Sequence, residues 1–212
     1  MDETPFWLDV IPKTTVEVRG VKKVVALESC DGGSRFRRVT CFPIVSAAGE
    51  KVLLGIIMNS NTDSKEPQVV HNNICIWKQK SACMTSPILR DTLRKVFSPL
   101  LQSSERKLLI LDSSSTHITQ AVRQVCHEAN FDLLVIPAGH TGKLQPLDLT
   151  FNRSFKSHSR KNWIRSQFTR KTYKGNLAES CRQSFVTMAK EAWEQVPTKT
   201  VINGFKLMMK EL

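Results

Sequence analysis

The sequence has no Cys-x-x-Cys pair and no Cys/His cluster at zinc-ligand spacing, so it offers no thiolate metal site. Its six cysteines, Cys30, Cys41, Cys75, Cys83, Cys126 and Cys181, lie far apart and are expected as reduced thiols. No apolar run approaches the roughly 20 residues that a membrane-spanning helix needs. Met1-Asp2-Glu3 opens with acids, where a secretory leader would place basic residues before an apolar stretch. Neither secretion nor membrane insertion is indicated, and there is no internal repeat or low-complexity tract. Acidic residues are scarce: 19 Asp and Glu stand against 31 Lys and Arg in 212 residues, a formal net charge of +12. That balance favours a polyanionic partner, nucleic acid first, because basic side chains gain affinity by displacing counterions condensed on phosphates. Charge says nothing about catalysis. The pairs Lys22-Lys23 and Arg170-Lys171 are too short to define a nuclear address.

What is present has the length and the 41% hydrophobic fraction of one main α/β domain. Phe6 to Val10, Val24 to Glu28, Arg38 to Val45 and Val52 to Met58 carry strand patterns separated by Gly32-Gly33 and Ala48-Gly49 turns, which predicts an antiparallel meander. Asn59 to Gln68 is polar, contains Pro67 and is expected as a loop. Pro87 to Leu101 has the apolar spacing of an amphipathic helix, with Thr85 or Ser86 available as its cap. Leu108 to Leu111 and Leu133 to Ile136 are short apolar runs flanking a helical segment, Ile118 to Ala129; this is the βαβ pattern of a buried parallel sheet. The remainder is expected to be helical, about Leu147 to Phe168, Leu177 to Val196 with Pro197 as a stop, and Val201 to Met209.

Phosphodiester chemistry needs charge neutralised on the phosphate and a nucleophile made from water or a hydroxyl, and two divalent ions supply both. Hard ions such as magnesium take carboxylate oxygens. Asp112 follows the Leu108 to Leu111 run, at the C-terminal end of an expected parallel strand, where open α/β sheets place their ligand sites. A turn formed with Ser113-Ser114-Ser115 would equally account for it. Asp148 stands in Leu144-Gln145-Pro146-Leu147-Asp148 as a helical segment begins, a place that favours carboxylates on structural grounds alone. Asp2 lies just ahead of the first strand. The interval from Asp112 to Asp148 is long enough for the chain to return to the same sheet edge, so both carboxylates could share one end.

Three blocks carry a family resemblance. Met1-Asp2-Glu3-Thr4-Pro5, Leu109-Ile110-Leu111-Asp112-Ser113-Ser114-Ser115-Thr116-His117, and Ile136-Pro137-Ala138-Gly139-His140-Thr141-Gly142-Lys143-Leu144-Gln145-Pro146-Leu147-Asp148, continuing through Phe151-Asn152-Arg153-Ser154-Phe155-Lys156, resemble the acidic blocks of the DDE superfamily of pogo, Tigger and jerky-type transposases and the centromere-protein-B-like genes derived from them. Trp193 and Thr200 to Lys206 resemble the same family's C-terminal helices. The resemblance implies an RNase H-like α/β fold: a mixed five-stranded sheet flanked by helices, with C-terminal helices and a first strand shortened at its N-terminal side. It implies a single catalytic domain over residues 1–212, its basic helical part at about 147–212, without the helix-turn-helix region that precedes this domain in the family. Asp2, Asp112 and Asp148 would be the catalytic carboxylates and the ligands of two divalent ions, Mg2+ or Mn2+, with DNA as substrate. His117 would be an accessory group, with surface or capping roles as its alternative, and His140 is a weaker candidate. Cys83 stands where the family has a tryptophan.

From Leu149 to Ala178 there is no acidic residue, while basic ones accumulate. Arg153, Lys156 and Arg160 recur at helical spacing beside Asp148, and with Lys161 and Arg165 they are expected to contact DNA phosphates, giving affinity without sequence readout. Arg170, Lys171 and Lys174 extend the run. Two functions follow: a metal-dependent nuclease and strand transferase, or a non-enzymatic, domesticated DNA-binding or chromatin-associated module on the same fold. Either would act in the nucleus, with chromatin proteins or a second copy of the chain as further partners. A basic RNA-binding or structural protein is disfavoured by the three blocks.

Overall fold

The computed structural model describes residues 1–7, 38–64, 66–71, 73–100, 105–169 and 177–211. Of the expected strands, Val24 to Glu28 and the end of Phe6 to Val10 lie outside these residues. The first two described strands, β1 (Thr4–Trp7) and β2 (Arg38–Val45), pair antiparallel from Thr4↔Cys41 to Trp7↔Arg38. Strand β3 (Lys51–Asn59) continues the antiparallel meander, with a register shift between Ile44 and Val45. The edge strand β4 (Gln68–His71) pairs antiparallel with β5 (Ile74–Gln79), and β5 runs parallel to β3. The result is a mixed five-stranded sheet of order β1-β2-β3-β5-β4.

Every residue of β2 from Val39 to Val45 is buried, so both faces of this sheet need cover. One face shares its core with α1 (Ser86–Phe97), with the parallel pair β6 (Lys107–Asp112) and β7 (Phe131–Ile136), and with α2 (Gln120–Glu128), which crosses between those two strands. There Phe42, Ile57 and Trp77 meet Leu89, Leu93, Leu111 and Val125. The other face is covered by α4 (Asn152–Thr169), α5 (Leu177–Gln195) and α6 (Thr198–Glu211), which follow the short helix α3 (Thr141–Leu144). Here Cys41, Leu54 and Ile56 meet Phe151, Phe155, Phe185 and Trp193. Helices on both sides of a sheet give one three-layered α/β core.

Local chemistry sets the element ends. Thr119 caps α2 by accepting from the Val122 amide at 3.4 Å, and Asn130, at φ 59°, makes the left-handed turn out of it. Thr85 sits at the N-cap of α1, yet its side chain makes no capping bond. The last carbonyls of α5 have no intrahelical donors. Lys51 Nζ supplies one, donating to Trp193 O at 2.7 Å, Glu194 O at 3.0 Å and Val196 O at 3.2 Å just before the Pro197 stop.

The sequence pattern assigned no element between Gln68 and Pro87, where the structure has β4 and β5. Strand β5 is six residues long and buried nearly throughout, so it lacks the alternation that marks a half-exposed strand. Gly55 of β3 lies opposite Phe42 of β2, and a Cβ at Gly55 would collide with the Phe42 ring. Gly55→Ala is therefore expected to destabilise by about 1–3 kcal/mol through overpacking. A chemical denaturation midpoint equal to wild type would contradict this.

Candidate active site

Asp112 is the last residue of β6, half-buried at the C-terminal end of the parallel pair. The Met1 nitrogen donates to Ile110 O at 3.1 Å, which brings the Asp2 segment alongside the end of β6. Asp148 is carried by a different element, a π-helical turn over Leu147–Phe151 that opens into α4. Such wide turns recur at functional sites. The turn sets Asp148 and Asn152 together, and Asn152 Nδ2 donates to Asp148 Oδ1 at 2.9 Å and to Asp2 Oδ2 at 2.5 Å. One neutral amide thus joins two carboxylates from segments far apart in the sequence.

Asp2 is 5% exposed. Burial, and then the neighbouring Asp148 charge, push its carboxyl up to about 6 against the opposing Asn152 hydrogen bond. Asp112 is held differently. Its Oδ1 accepts from the Ser114 amide at 3.1 Å and faces His117 Nδ1 at 2.5 Å, and the His117 hydrogen bond holds the carboxyl below its ordinary range despite partial burial. The second ring nitrogen, His117 Nε2, lies 3.1 Å from Glu3 Oε1. Both nitrogens therefore face carboxylate oxygens, and both donate when the ring is protonated. Burial would lower the imidazole value; the hydrogen bonds to Asp112 and Glu3 outweigh it and hold it at about 9.

The structure brings Asp2 and Asp148 together through Asn152, and ties Asp112 to Glu3 through His117. Among the described residues, no group of three or more His, Cys, Asp or Glu side chains is arranged as a ready cluster of metal ligands. Glu3, Gln145 and Asn152 are members of the site that residue-level reasoning passed over, although all three lie inside the motif blocks. Gln145 is fully buried, and its Nε2 donates to Met1 O at 3.1 Å. His140 is exposed, and its Nδ1 lies 3.2 Å from Ala138 O. Arg153, Arg160, Lys161 and Arg165 are exposed on α4, and Lys156 is half-buried. Arg170, Lys171 and Lys174 lie outside the described residues. Among the described residues, Cys41, Cys75, Cys83 and Cys126 are free thiols.

A mixed sheet covered on both faces, with carboxylates at a strand end and at the start of a following helix, defines an RNase H-like α/β domain. The crystal structure of the Mos1 strand transfer complex has the same fold, with a TM-score of 0.58 at 11% identity over 99% of this chain and 51% of that one. Residues 37–205 match the family model described as DDE superfamily endonuclease, and the chain belongs to that family. The match includes Asp112 and Asp148 and begins beyond Asp2. Human Pogo transposable element with KRAB domain is 26% identical over 210 residues, 97% of this chain and 34% of the relative; the mouse protein of that name is 25% identical over the same span. Human Pogo transposable element with ZNF domain is 22% identical over 164 residues, 77% of this chain and 11% of the relative. The chain thus spans about a third of the length of the first two relatives. DDE superfamily enzymes use divalent metals.

Proposed function

We propose that this domain cleaves DNA phosphodiesters and transfers strands, with Asp2, Asp112 and Asp148 holding two Mg2+ or Mn2+ ions. The observation that carries this reading is the convergence of Asp2 and Asp148 on one neutral amide. Two further features fit a divalent ion. The Asp148 charge raises the Asp2 carboxyl, so a positive charge beside both would relieve the pair. Asn152 Oδ1 and Gln145 Oε1 are buried acceptors without a hydrogen-bond partner, so the site holds more oxygen than donors to satisfy it.

When bound, the ions would neutralise phosphate charge and ease deprotonation of water or of a 3′ hydroxyl. The chain's own groups do the rest. Asn152 holds the Asp2 and Asp148 oxygens in one orientation, and His117 and the Ser114 amide fix Asp112. Hydrolysis forms a bond from water oxygen to phosphorus and breaks the P–O3′ bond, freeing a 3′ hydroxyl. In transfer that hydroxyl attacks a second phosphodiester and displaces its 3′ oxygen. The test is nicking of DNA with preformed transposon ends in Mg2+ or Mn2+. Wild type is expected to nick, and the Asp112→Ala, Asp148→Ala double variant is expected not to. Equal rates would sink the proposal.

The second reading, a DNA-binding module without catalysis, is favoured by the engagement of Asp112 with His117 rather than with the other two carboxylates. It predicts salt-sensitive DNA binding that survives loss of the carboxylates and an absence of nicking. Both readings place DNA along α4, where Arg153, Lys156, Arg160, Lys161 and Arg165 would meet phosphates. Charge reversal at the exposed pair, Arg160→Glu with Lys161→Glu, is expected to weaken DNA binding and to reduce the slope of log affinity against log salt by about 2. An unchanged slope in fluorescence anisotropy would remove α4 from the interface. The KRAB and ZNF domains named in the relatives support a nuclear site of action and chromatin partners for this chain too.

A further inference from the structure

We propose that Gln145 and Asn152 form an amide latch that sets the spacing of Asp2 and Asp148. The two side chains flank Asp148 in sequence, and both reach back to the Asp2 segment. Gln145 Nε2 donates to the Met1 carbonyl at 3.1 Å, and Asn152 Nδ2 donates to Asp2 Oδ2 at 2.5 Å and to Asp148 Oδ1 at 2.9 Å. Both residues are nine-tenths buried or more, and each leaves its carbonyl oxygen buried without a partner. An unsatisfied buried acceptor is costly. An apolar residue of similar size would avoid that cost but leave Asp2, Asp148 and the Met1 carbonyl without their donor, so packing alone does not explain either amide.

Their chemistry does. A lysine or arginine at Asn152 would neutralise the two carboxylates and repel an incoming cation. A third carboxylate would repel the other two, and a leucine would leave them unaimed. An amide NH2 has two donors and no net charge, so it aims one oxygen from each carboxylate while leaving their negative charge intact. Gln145 adds the main-chain tie that stops the Asp2 segment from sliding past the π-helical turn. Both are positioning residues. This proposal rests on the reading of Asp2 and Asp148 as metal ligands.

The experiment measures Mn2+ binding to the full chain after EDTA stripping, by calorimetry and by the EPR signal of free Mn2+, together with thermal melting with and without Mn2+. Asn152→Leu is expected to weaken Mn2+ binding by about 10–100-fold, and Gln145→Met by about 10-fold, as for other residues that orient metal ligands. Asn152→Asp is expected to melt below wild type without metal and to gain the largest rise in melting temperature when Mn2+ is added. A role in folding alone lowers all three melting temperatures and leaves the Mn2+ affinity of the folded protein unchanged. That result, with Asn152→Leu and Gln145→Met each within about twofold of wild type, overturns the latch. If Asn152→Leu does not fold, Gln145→Met decides alone. Asp148→Ala separates the two claims: should it bind Mn2+ as tightly as wild type, the metal-site reading falls and the latch with it.

Discussion

Asp2→Asn is expected to raise the stability of the metal-free protein near neutral pH while lowering nicking by on the order of a thousandfold. The first effect follows from the Asp2 carboxyl standing at about 6 instead of 3.8, through burial and the Asp148 charge. Between those values the folded state holds more protons than the unfolded one, so stability falls as pH rises. Below 3.8 both states are protonated and nothing is lost; above 6 the full penalty applies. For a carboxyl 5% exposed, the shift corresponds to about 2–3 kcal/mol. An amide at this position carries no charge to desolvate, and its oxygen can still accept from Asn152 Nδ2. The second effect follows from removing one of three ligands from a site whose ions would contribute several kcal/mol of transition-state stabilisation. Melting in EDTA from about pH 4 to pH 9 checks the first part. Wild type is expected to lose stability through Asp2 as pH rises from 3.8 to about 6, and through His117, whose raised value makes its contribution complete below 6.5 and lost as pH rises through about 9; the buried Met1 ammonium, lowered to about 6 from 8.0, works the other way between those values. The variant lacks the Asp2 loss. A variant that melts below wild type at about pH 7.5, or that nicks at the wild-type rate, contradicts the assignment of Asp2.

The parts of this site differ in how openly the sequence declared them. Asp112 was legible from elementary patterning, because a carboxylate directly after a four-residue apolar run belongs at a strand end, and it closes β6. Asp148 was legible as the acid at a helix start, but the π-helical turn under it was not. That turn is decided by packing: Phe151 enters the core, and Thr150 Oγ1 donates to Thr200 O at 2.7 Å. Asp2 had no pattern of its own and was found only through its block. Asn152 and Gln145 sat inside the third block, yet neutral amides leave no charge or periodicity signal; their role is visible only once Met1 and Asp2 lie against them. Glu3 escaped notice because its partner, His117, is 114 residues away in the sequence and meets it only in the fold. The three-layered core was largely predictable from apolar runs, apart from β5, whose burial on both faces erased its alternation.

Gly204→Val is expected to be among the most damaging single changes outside the carboxylates. On helix propensity alone the reverse holds, because glycine within a helix costs about 0.8–1.0 kcal/mol relative to alanine. The neighbours reverse that sign. A Cβ at Gly204 would collide with the Pro146 carbonyl oxygen, come within 2.8 Å of Thr150 Oγ1 and lie 3.1 Å from the Pro146 carbonyl carbon. Two of these three atoms are backbone, which cannot swing aside as a side-chain tip can. Alanine should therefore already cost a net 1–3 kcal/mol or so, and valine, with two further methyl groups in the same gap, more. Pro146 is the residue between Gln145 and the turn that carries Asp148, so relief by outward movement would draw Asp148 away from Asp2. Two measurements then change together: the denaturation midpoint falls, and Mn2+ affinity drops at temperatures where the variant is still folded. A loss of stability with Mn2+ affinity intact would show that α6 braces the core without setting the carboxylate pair.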